Sequence, residues 1–143
     1  MIEKIEPTTI AKPLGSYCHV TKVTAKQLVF VAGQVPLDKD GNFVGLDPNP
    51  KNPHFQTIDL AAQVRQAMLN VKAALEAAGA SLQDIVRLDT YVVASAQNEY
   101  KTVGTKAKHE VLAGVRASGA TVFVAGLLQP EALVEISAIA AID

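Results

Sequence analysis

The spacing of apolar residues changes along the chain, and each change marks the boundary of a predicted element. Residues 26–33 (KQLVFVAG) are rich in β-branched and aromatic side chains up to a closing glycine, which predicts a strand. Residues 16–23 are predicted to form a first strand that pairs with it in a hairpin. Residues 47–53 (DPNPKNP) follow, and their prolines and asparagines predict an extended surface loop.

A helical period begins after this loop. Apolar residues recur at steps of three and four, as one buried helix face requires: Leu60, Val64, Ala67, Met68, Val71, Ala74, Leu75 and Ala78. Gly79 is predicted to end this helix. Residues 81–84 resemble a short capped turn, and residues 85–93 (IVRLDTYVV) predict a strand because they are rich in β-branched side chains.

A second helix is predicted from Asn98, as its N-cap, to Gly114. Its two faces divide by polarity, with Tyr100, Val103, Ala107 and Val111 on the buried side and Lys101, Lys106, Lys108 and Glu110 on the solvated side. His109 lies at the edge of the solvated side and is expected to be a surface residue.

The last two predicted strands, residues 121–127 and 133–142, are separated by the short turn 129–131 (QPE), which predicts a hairpin. Strands thus come in pairs at both ends of the chain, so the elements do not alternate as a doubly wound sheet requires. We predict a single α+β domain, residues 1–143, with two helices packed on one face of a mixed β-sheet. Because the last strands are apolar at nearly every position, another subunit is expected to cover the other face.

Composition and charge narrow the classes of function. The 13 basic and 14 acidic residues give a net charge of −1, which provides no positive field for nucleic acid. No stretch approaches the ~18 apolar residues of a membrane span, and the first ten residues do not resemble a secretory signal. The single cysteine, Cys18, excludes an internal disulfide and suits a reducing compartment. We therefore expect a cytoplasmic protein that binds neither nucleic acid nor membrane.

Strong chemical motifs are absent from the sequence. It contains no nucleotide-binding glycine fingerprint, P-loop, HExxH or paired CxxC. His19, His54 and His109 are far apart and, with one cysteine, give no metal-ligand spacing, so no metal site is predicted.

Two weaker signals remain. Glu135 lies inside an apolar strand, where a carboxylate is costly to bury unless it is paired or functional. It could act as a general base, or it could point outward at a strand edge or pair with a lysine. Tyr17 and His19 share one face of the first predicted strand, so a phenol and an imidazole could converge there.

Several segments together carry a resemblance to a known family: 14–17 (LGSY), 29–36 (VFVAGQVP), 62–67 (AQVRQA), 70–73 (NVKA), 77–81 (AAGAS) and 129–136 (QPEALVEI). Over nearly its whole length the chain resembles the Rid family of reactive intermediate deaminases, also called YjgF-type or endoribonuclease L-PSP proteins. The resemblance implies a chorismate-mutase-like fold and a homotrimer with a central β-barrel and clefts between neighbouring subunits. Active members hydrolyse imines and enamines without a cofactor.

The family's functional positions can be compared with this sequence one by one. Active members position the attacking water with a glutamate on the last strand, which matches Glu135, and carry a first-strand tyrosine that matches Tyr17. Ala120 occupies the position of the arginine that clamps the substrate carboxylate, Ala32 that of a serine and Gly104 that of an asparagine. Because charge-assisted hydrogen bonds contribute about 1.5–3 kcal/mol each, free keto-acid imines are predicted to bind poorly.

Other groups are candidates to compensate for the missing arginine. Arg116 could reach back into the cleft or remain a solvent-exposed loop residue, and His19 could supply a donor. The remaining candidate binding positions lie on two strands: Ala32, Gly33, Gln34, Ala120 and Val122. The proline-rich loop could reshape the cleft mouth through His54 and Phe55.

Three functions follow from this reading, the first being favoured. The protein is predicted to hydrolyse an imine, enamine or related small molecule by means of a water activated by Glu135, with Tyr17 orienting the substrate. The alternative is a non-catalytic trimer that binds a small ligand in the same cleft. A ribonuclease or translation inhibitor comes third, because the charge balance and the 5% aromatic content suit RNA poorly.

Overall fold

The structure of the protein, a computed structural model, describes residues 1–47 and 58–143. The elements follow in chain order: β1 Ile2–Ile5, β2 Val20–Val23, β3 Gln27–Gln34, α1 Leu60–Ala77, a 3-10 turn Leu82–Asp84, β4 Ile85–Val93, a 3-10 turn Ala94–Ala96, α2 Gln97–Glu99, a π-helical turn Tyr100–Gly104, α3 Thr105–Leu112, β5 Thr121–Val124 and β6 Val134–Ile142. The segment from α2 to α3, residues 97–112, is called the second helix below.

Four strands form the main sheet in the order β3-β6-β4-β5. β6 pairs antiparallel with both β3 and β4, whereas β4 and β5 are parallel, so the sheet is mixed. Both helices lie on one face, where the apolar stripe of α1 packs against alternate residues of β6 in the core. This confirms the predicted α+β architecture with two helices on one side of a mixed sheet.

The buried amide of Gln63 fastens α1 to the segment that leads into β6. Its side-chain nitrogen donates to the carbonyl oxygens of Val44 at 3.2 Å and Glu131 at 2.8 Å. Its oxygen accepts from the backbone N–H of Leu133 at 2.8 Å. A fully buried amide is tolerated only when it is hydrogen-bonded in this way, so these three bonds fix where β6 begins.

The predicted opening hairpin is wrong. β2 is limited to Val20–Val23 and pairs with β1 in a separate two-stranded sheet, with Ile2 opposite Val23 and Ile5 opposite Val20. The apolar ends of Ile2–Ile5 provide a partner that the sequence analysis did not assign to a strand. β3 pairs instead with β6, and residues 16–19 are irregular.

The predicted hairpin between the last two strands is also wrong. β6 lies between β3 and β4, so neither of its edges remains open to β5. β5, shortened to Thr121–Val124, pairs with the far edge of β4 instead. The turn at residues 129–131 therefore lies in the connection that leads from β5, past the end of β4, to β6.

The second helix begins earlier than predicted and is not a regular α-helix. Asn98 lies inside α2 rather than at its N-cap, because the 3-10 turn Ala94–Ala96 already starts the helical path. The π-helical turn rotates the next residues, so Gly104 is buried while Val103, expected in the core, is 42% exposed. The helix does end where predicted, with left-handed backbone at Ala113 and Gly114.

The sheet face turned away from the helices remains uncovered in the single chain. Leu28, Phe30 and Val122 are exposed on it, and Phe30 keeps 70% of its surface accessible. The predicted burial of the strands on both faces therefore is not met within one chain, and the covering subunit stays a prediction. Within the described residues, no helix is long and apolar enough to cross a membrane.

Gly119 allows the chain to pass β4 closely before β5, and this contact generates a stability prediction. Its φ is +145°, and a Cβ built there would lie 1.9 Å from the carbonyl oxygen of Leu88. Overpacking and backbone strain each cost about 1–3 kcal/mol, so Gly119→Ala should lower the free energy of unfolding by about 3 kcal/mol or more. Urea denaturation measures this loss.

Gly41→Ala is the matched control for that measurement. Gly41 also has a positive φ, +81°, but a Cβ there meets no atom of residues 1–47 or 58–143 within 4 Å. It should lose only the strain of a left-handed residue, about 1–2 kcal/mol. Equal losses of unfolding free energy in the two variants would show that the contact between the added Cβ and Leu88 does not destabilise Gly119→Ala.

Candidate active site

A cleft of about 470 Å³ lies between the segment before β2, the start of β5 and α3. Its lining includes the side chains of Tyr17, Lys108, His109, Leu112, Ala120 and Thr121. Clefts that bind small molecules commonly enclose about 300–1,000 Å³, so this one has a suitable size for a metabolite.

Tyr17 enters the cleft from irregular chain rather than from a strand. Its hydroxyl oxygen accepts a hydrogen bond from the backbone N–H of Leu14 at 3.2 Å. Its ring meets that of His19 edge to face, with 5.7 Å between centroids, so the phenol and the imidazole do converge. His19 itself is not among the cleft-lining side chains. Its Nε2 donates to the carbonyl oxygen of Ala11 at 2.7 Å, because a carbonyl can only accept.

Ala120 lies in the wall of the cleft, where it presents only a methyl group. Its backbone N–H donates to one carboxylate oxygen of Asp89 at 3.0 Å. The other oxygen of Asp89 accepts from Nε of Arg87 at 2.7 Å. The hydrogen bond and the charge of Asp89 both raise the pKa of Arg87. Asp89 therefore holds the start of β5 through the N–H of Ala120, and it forms an ion pair with Arg87 of its own strand, β4.

Arg116 does not line the cleft. Its guanidinium forms an ion pair with Glu6 at 2.5 Å and donates from Nε to the carbonyl oxygen of Tyr17 at 3.3 Å. The side chain is 44% exposed, and pairs of this kind contribute only about 0–1 kcal/mol. In this structure Arg116 holds the segment before β2 rather than the cleft.

Glu135 belongs to a second group of residues on the uncovered face of the sheet. Its carboxylate lies against Gly33, where an added Cβ would come within 2.5 Å of Oε1. Beside it, the amide of Gln34 donates to the carbonyl oxygen of Ala32 at 3.1 Å, next to an irregularity in the β3–β6 register. Glu135 thus points outward and half-buried, and within residues 1–47 and 58–143 it forms no lysine ion pair.

The two groups of residues are separated by one strand. Thr121, which lines the cleft on β5, is opposite Thr90 on β4, and Thr90 is opposite Ile136, the residue after Glu135 on β6. Adjacent strands lie about 4.8 Å apart, which puts the backbone of Thr121 roughly 10 Å from that of β6. The single chain therefore brings Tyr17 and Ala120 together in the cleft, and Glu135 and Gly33 together on the sheet face.

Lys108 and His109 line the cleft although the sequence analysis placed both on the solvated side of the helix. Lys108 Nζ lies 5.7 Å from the centroid of the Tyr100 ring, a cation–π distance. Burial, and secondarily the charge of Lys108, lowers the pKa of His109 below its ordinary value. The apolar period predicts a regular α-helix for this segment, and the π-helical turn Tyr100–Gly104 leaves no signal in that period.

The structure leaves the predicted role of the proline-rich loop untested. Residues 48–54 of the proline-rich loop, including His54, and Phe55 lie outside the described residues. In the described part of the chain, no group of three or more His, Cys, Asp or Glu side chains is arranged to hold a metal ion.

Comparison with known proteins adds a family to this geometry. The family model described as Endoribonuclease L-PSP matches residues 8–142. The 3-aminoacrylate deaminase RutC of Acinetobacter baylyi is 30% identical over 96% of both chains. Among solved structures, the Rid-family protein YyfB of Yersinia pestis superposes with a TM-score of 0.82, at 29% identity over 99% of this chain and 98% of the other.

Other relatives match over shorter regions. A RutC family protein of Pyrococcus horikoshii is 36% identical over 64% of this chain and 63% of its own length. The 2-iminobutanoate/2-iminopropanoate deaminase of Escherichia coli is 35% identical over 59% of this chain and 56% of its own. The matched regions in these two cases span less than two thirds of the curated relatives.

The lowered pKa of His109 predicts how stability depends on pH. The unfolded chain takes up a proton near pH 6.5, whereas the folded chain resists protonation at His109 until a lower pH. The unfolded state thus binds more protons in this window, so the free energy of unfolding should fall as pH drops below about 6.5. In His109→Gln this decline should be smaller, as urea denaturation at pH 8 and pH 5.5 can measure. An equal decline in variant and wild type would contradict the prediction.

Proposed function

The chain belongs to the Rid family of endoribonuclease L-PSP proteins, and from this we propose that it hydrolyses an imine, an enamine or a related small molecule. In the overall reaction, water adds to the C=N carbon, and the C–N bond then breaks to give a carbonyl compound and ammonia. The proposal rests above all on the position of Glu135, whose carboxylate lies against Gly33 on the open sheet face. The names of the two deaminase relatives support the same class of reaction.

Glu135 would activate the water. Its half-buried carboxylate can accept a proton from a water as the water oxygen attacks the electrophilic carbon, and general-base assistance of this kind contributes about 10²–10⁴-fold. That proton, and then the proton of the added hydroxyl group, pass to the nitrogen by way of the carboxylate, so the C–N bond breaks as the C=O bond forms and ammonia leaves as a neutral molecule. The absence of a side chain at Gly33 gives the carboxylate room for this position.

Tyr17 would orient the substrate. Because its hydroxyl oxygen already accepts from the N–H of Leu14, its own proton is free to be donated toward the cleft. Backbone groups near Ala32, Gly33 and Val122 would supply further donors in place of the family side chains that this sequence lacks.

A homotrimer would bring the two groups of residues into one site. The uncovered face combines Glu135 with the exposed apolar side chains of Leu28, Phe30 and Val122. Exposed apolar side chains on one face of a sheet favour protein association. Packing of such faces around a threefold axis would form the expected barrel and place a cleft at each subunit boundary.

A second candidate function is non-catalytic binding of a small ligand in the same cleft. It is favoured by the residues at three family positions, since Ala120, Ala32 and Gly104 supply neither a cation nor a side-chain hydrogen bond. A ribonuclease remains third, because a chain of net charge −1 has little attraction for phosphates.

The rate of 2-iminopropanoate hydrolysis tests the first proposal. The imine is generated by an amino-acid oxidase, and its disappearance is followed by competition with semicarbazide. The wild type should accelerate hydrolysis, and Glu135→Gln should reduce that acceleration by about 100-fold because it keeps the shape but loses the base. Gly33→Ala should also reduce it, since the new methyl group displaces the carboxylate.

Ser137→Ala is the matched control, because Ser137 lies two residues along the same strand on the same face. It should keep wild-type activity. A wild type that leaves the uncatalysed rate unchanged, or a Glu135→Gln variant as active as wild type, would refute Glu135-dependent hydrolysis of this imine.

Light scattering coupled to size exclusion tests the assembly. The wild type should elute with three times the chain mass of 15.1 kDa. Phe30→Glu should shift it to smaller species, because the charge would be buried at the subunit contact. Leu69→Glu, on the outer surface of α1, is the control and should leave the trimer intact. A monomeric wild type would contradict the proposed assembly.

A further inference from the structure

We propose that Lys108 is the cation that binds the carboxylate of a small organic acid in the cleft, in place of the arginine missing at position 120. The inference rests on the proposed function, since the same cleft is taken as the substrate site. It deepens that function by naming the residue that would bind the carboxylate of an imino acid, or of the oxo acid that it yields. It also replaces the expectation that such anions bind poorly.

The π-helical turn places Lys108 in the cleft. Each residue of an α-helix turns the chain by about 100°, and a π-helical turn accommodates one extra residue, so the side chains that follow change face by about that angle. Lys108 and His109, which follow the turn, line the cleft instead of facing solvent. Turns of this kind are rare and occur frequently at functional sites.

Tyr100 fixes the lysine. Its ring is buried and packs edge to face against Phe123 of β5, with 6.2 Å between centroids. A Cβ at Gly104 would lie only 2.4 Å from this ring, so the glycine makes the position of Tyr100 possible. Nζ of Lys108 lies over the same ring at 5.7 Å. The glycine found in place of the family asparagine thus allows an aromatic support for a new cation.

In the described part of the chain, the ammonium of Lys108 has no carboxylate partner. Arg87 and Arg116 are paired with Asp89 and Glu6, respectively. Among the residues that the structure describes, no carboxylate lies within 4 Å of Lys108. A half-buried ammonium without a carboxylate partner is available to a ligand anion, and its three N–H groups suit carboxylate oxygens.

The surroundings of Lys108 match the rest of such a ligand. His109 beside it has a lowered pKa, so its imidazole is neutral at about pH 7.5. The neutral ring can donate or accept a hydrogen bond to the ligand without adding a second positive charge to the cleft. Leu112 and Ala120 provide apolar wall for a short alkyl group. Since an ammonium is a point charge rather than a planar fork, Lys108 should hold the carboxylate less rigidly than arginine does.

Calorimetric titration of the full-length protein with pyruvate, the oxo acid formed from 2-iminopropanoate, tests this inference. Lys108→Gln should raise the Kd for pyruvate by about tenfold or more, the loss expected for one charge-assisted hydrogen bond. Lys108→Arg should retain binding. Lys106→Gln is the matched control, because it removes the same charge from an exposed position of the same helix, and it should bind as wild type does.

Adding Ala120→Arg to Lys108→Gln should restore pyruvate binding, because it returns a cation to the cleft wall. Absence of pyruvate binding in the wild type, or equal Kd values in wild type and Lys108→Gln at matched thermal stability, would overturn the inference. Lys108-dependent binding without imine hydrolysis would uphold this inference while the proposed function fails. Imine hydrolysis unaffected by Lys108→Gln would overturn the inference and leave the function standing.

Discussion

The antiparallel pairing of β6 with both β3 and β4 is the constraint on which the rest of the structure depends. Alternate residues of this strand, from Val134 to Ala140, are buried beneath α1, so Glu135 must point to the opposite face. A slip of one residue would exchange the two faces and bury the carboxylate in the core. The hydrogen bonds of Gln63 at the entry to β6 oppose such a slip.

The same pairing explains why the site is divided. With both edges of β6 occupied, β5 cannot pair with it and joins the sheet beyond β4, which separates β5 from Glu135 by a full strand. Tyr17 and Lys108 approach β5 from its other side, through the segment before β2 and through α3. The fold thus creates one cleft wall and one carboxylate-bearing face in each chain.

Much of this arrangement was predictable from local sequence signals. The apolar period located α1, and β-branched residues located β4 at residues 85–93. The partners of β2 and β5 were not predictable in the same way, since strand pairing is decided by which edges remain free in the whole fold. The family resemblance indicated Tyr17, Glu135 and Ala120, and the structure adds where they lie. Lys108 and His109 were missed because the face they occupy depends on a local change of helix type.

That dependence has an evolutionary consequence. A π-helical turn differs from an α-helical one by a single residue, so losing one residue between positions 100 and 104 could return the helix to a regular path. Lys108 and His109 would then turn toward solvent, although neither they nor the cleft wall had been substituted. The preference of this cleft for charged or uncharged ligands could therefore change through one deletion, and a comparison of relatives that considers substitutions alone would overlook it.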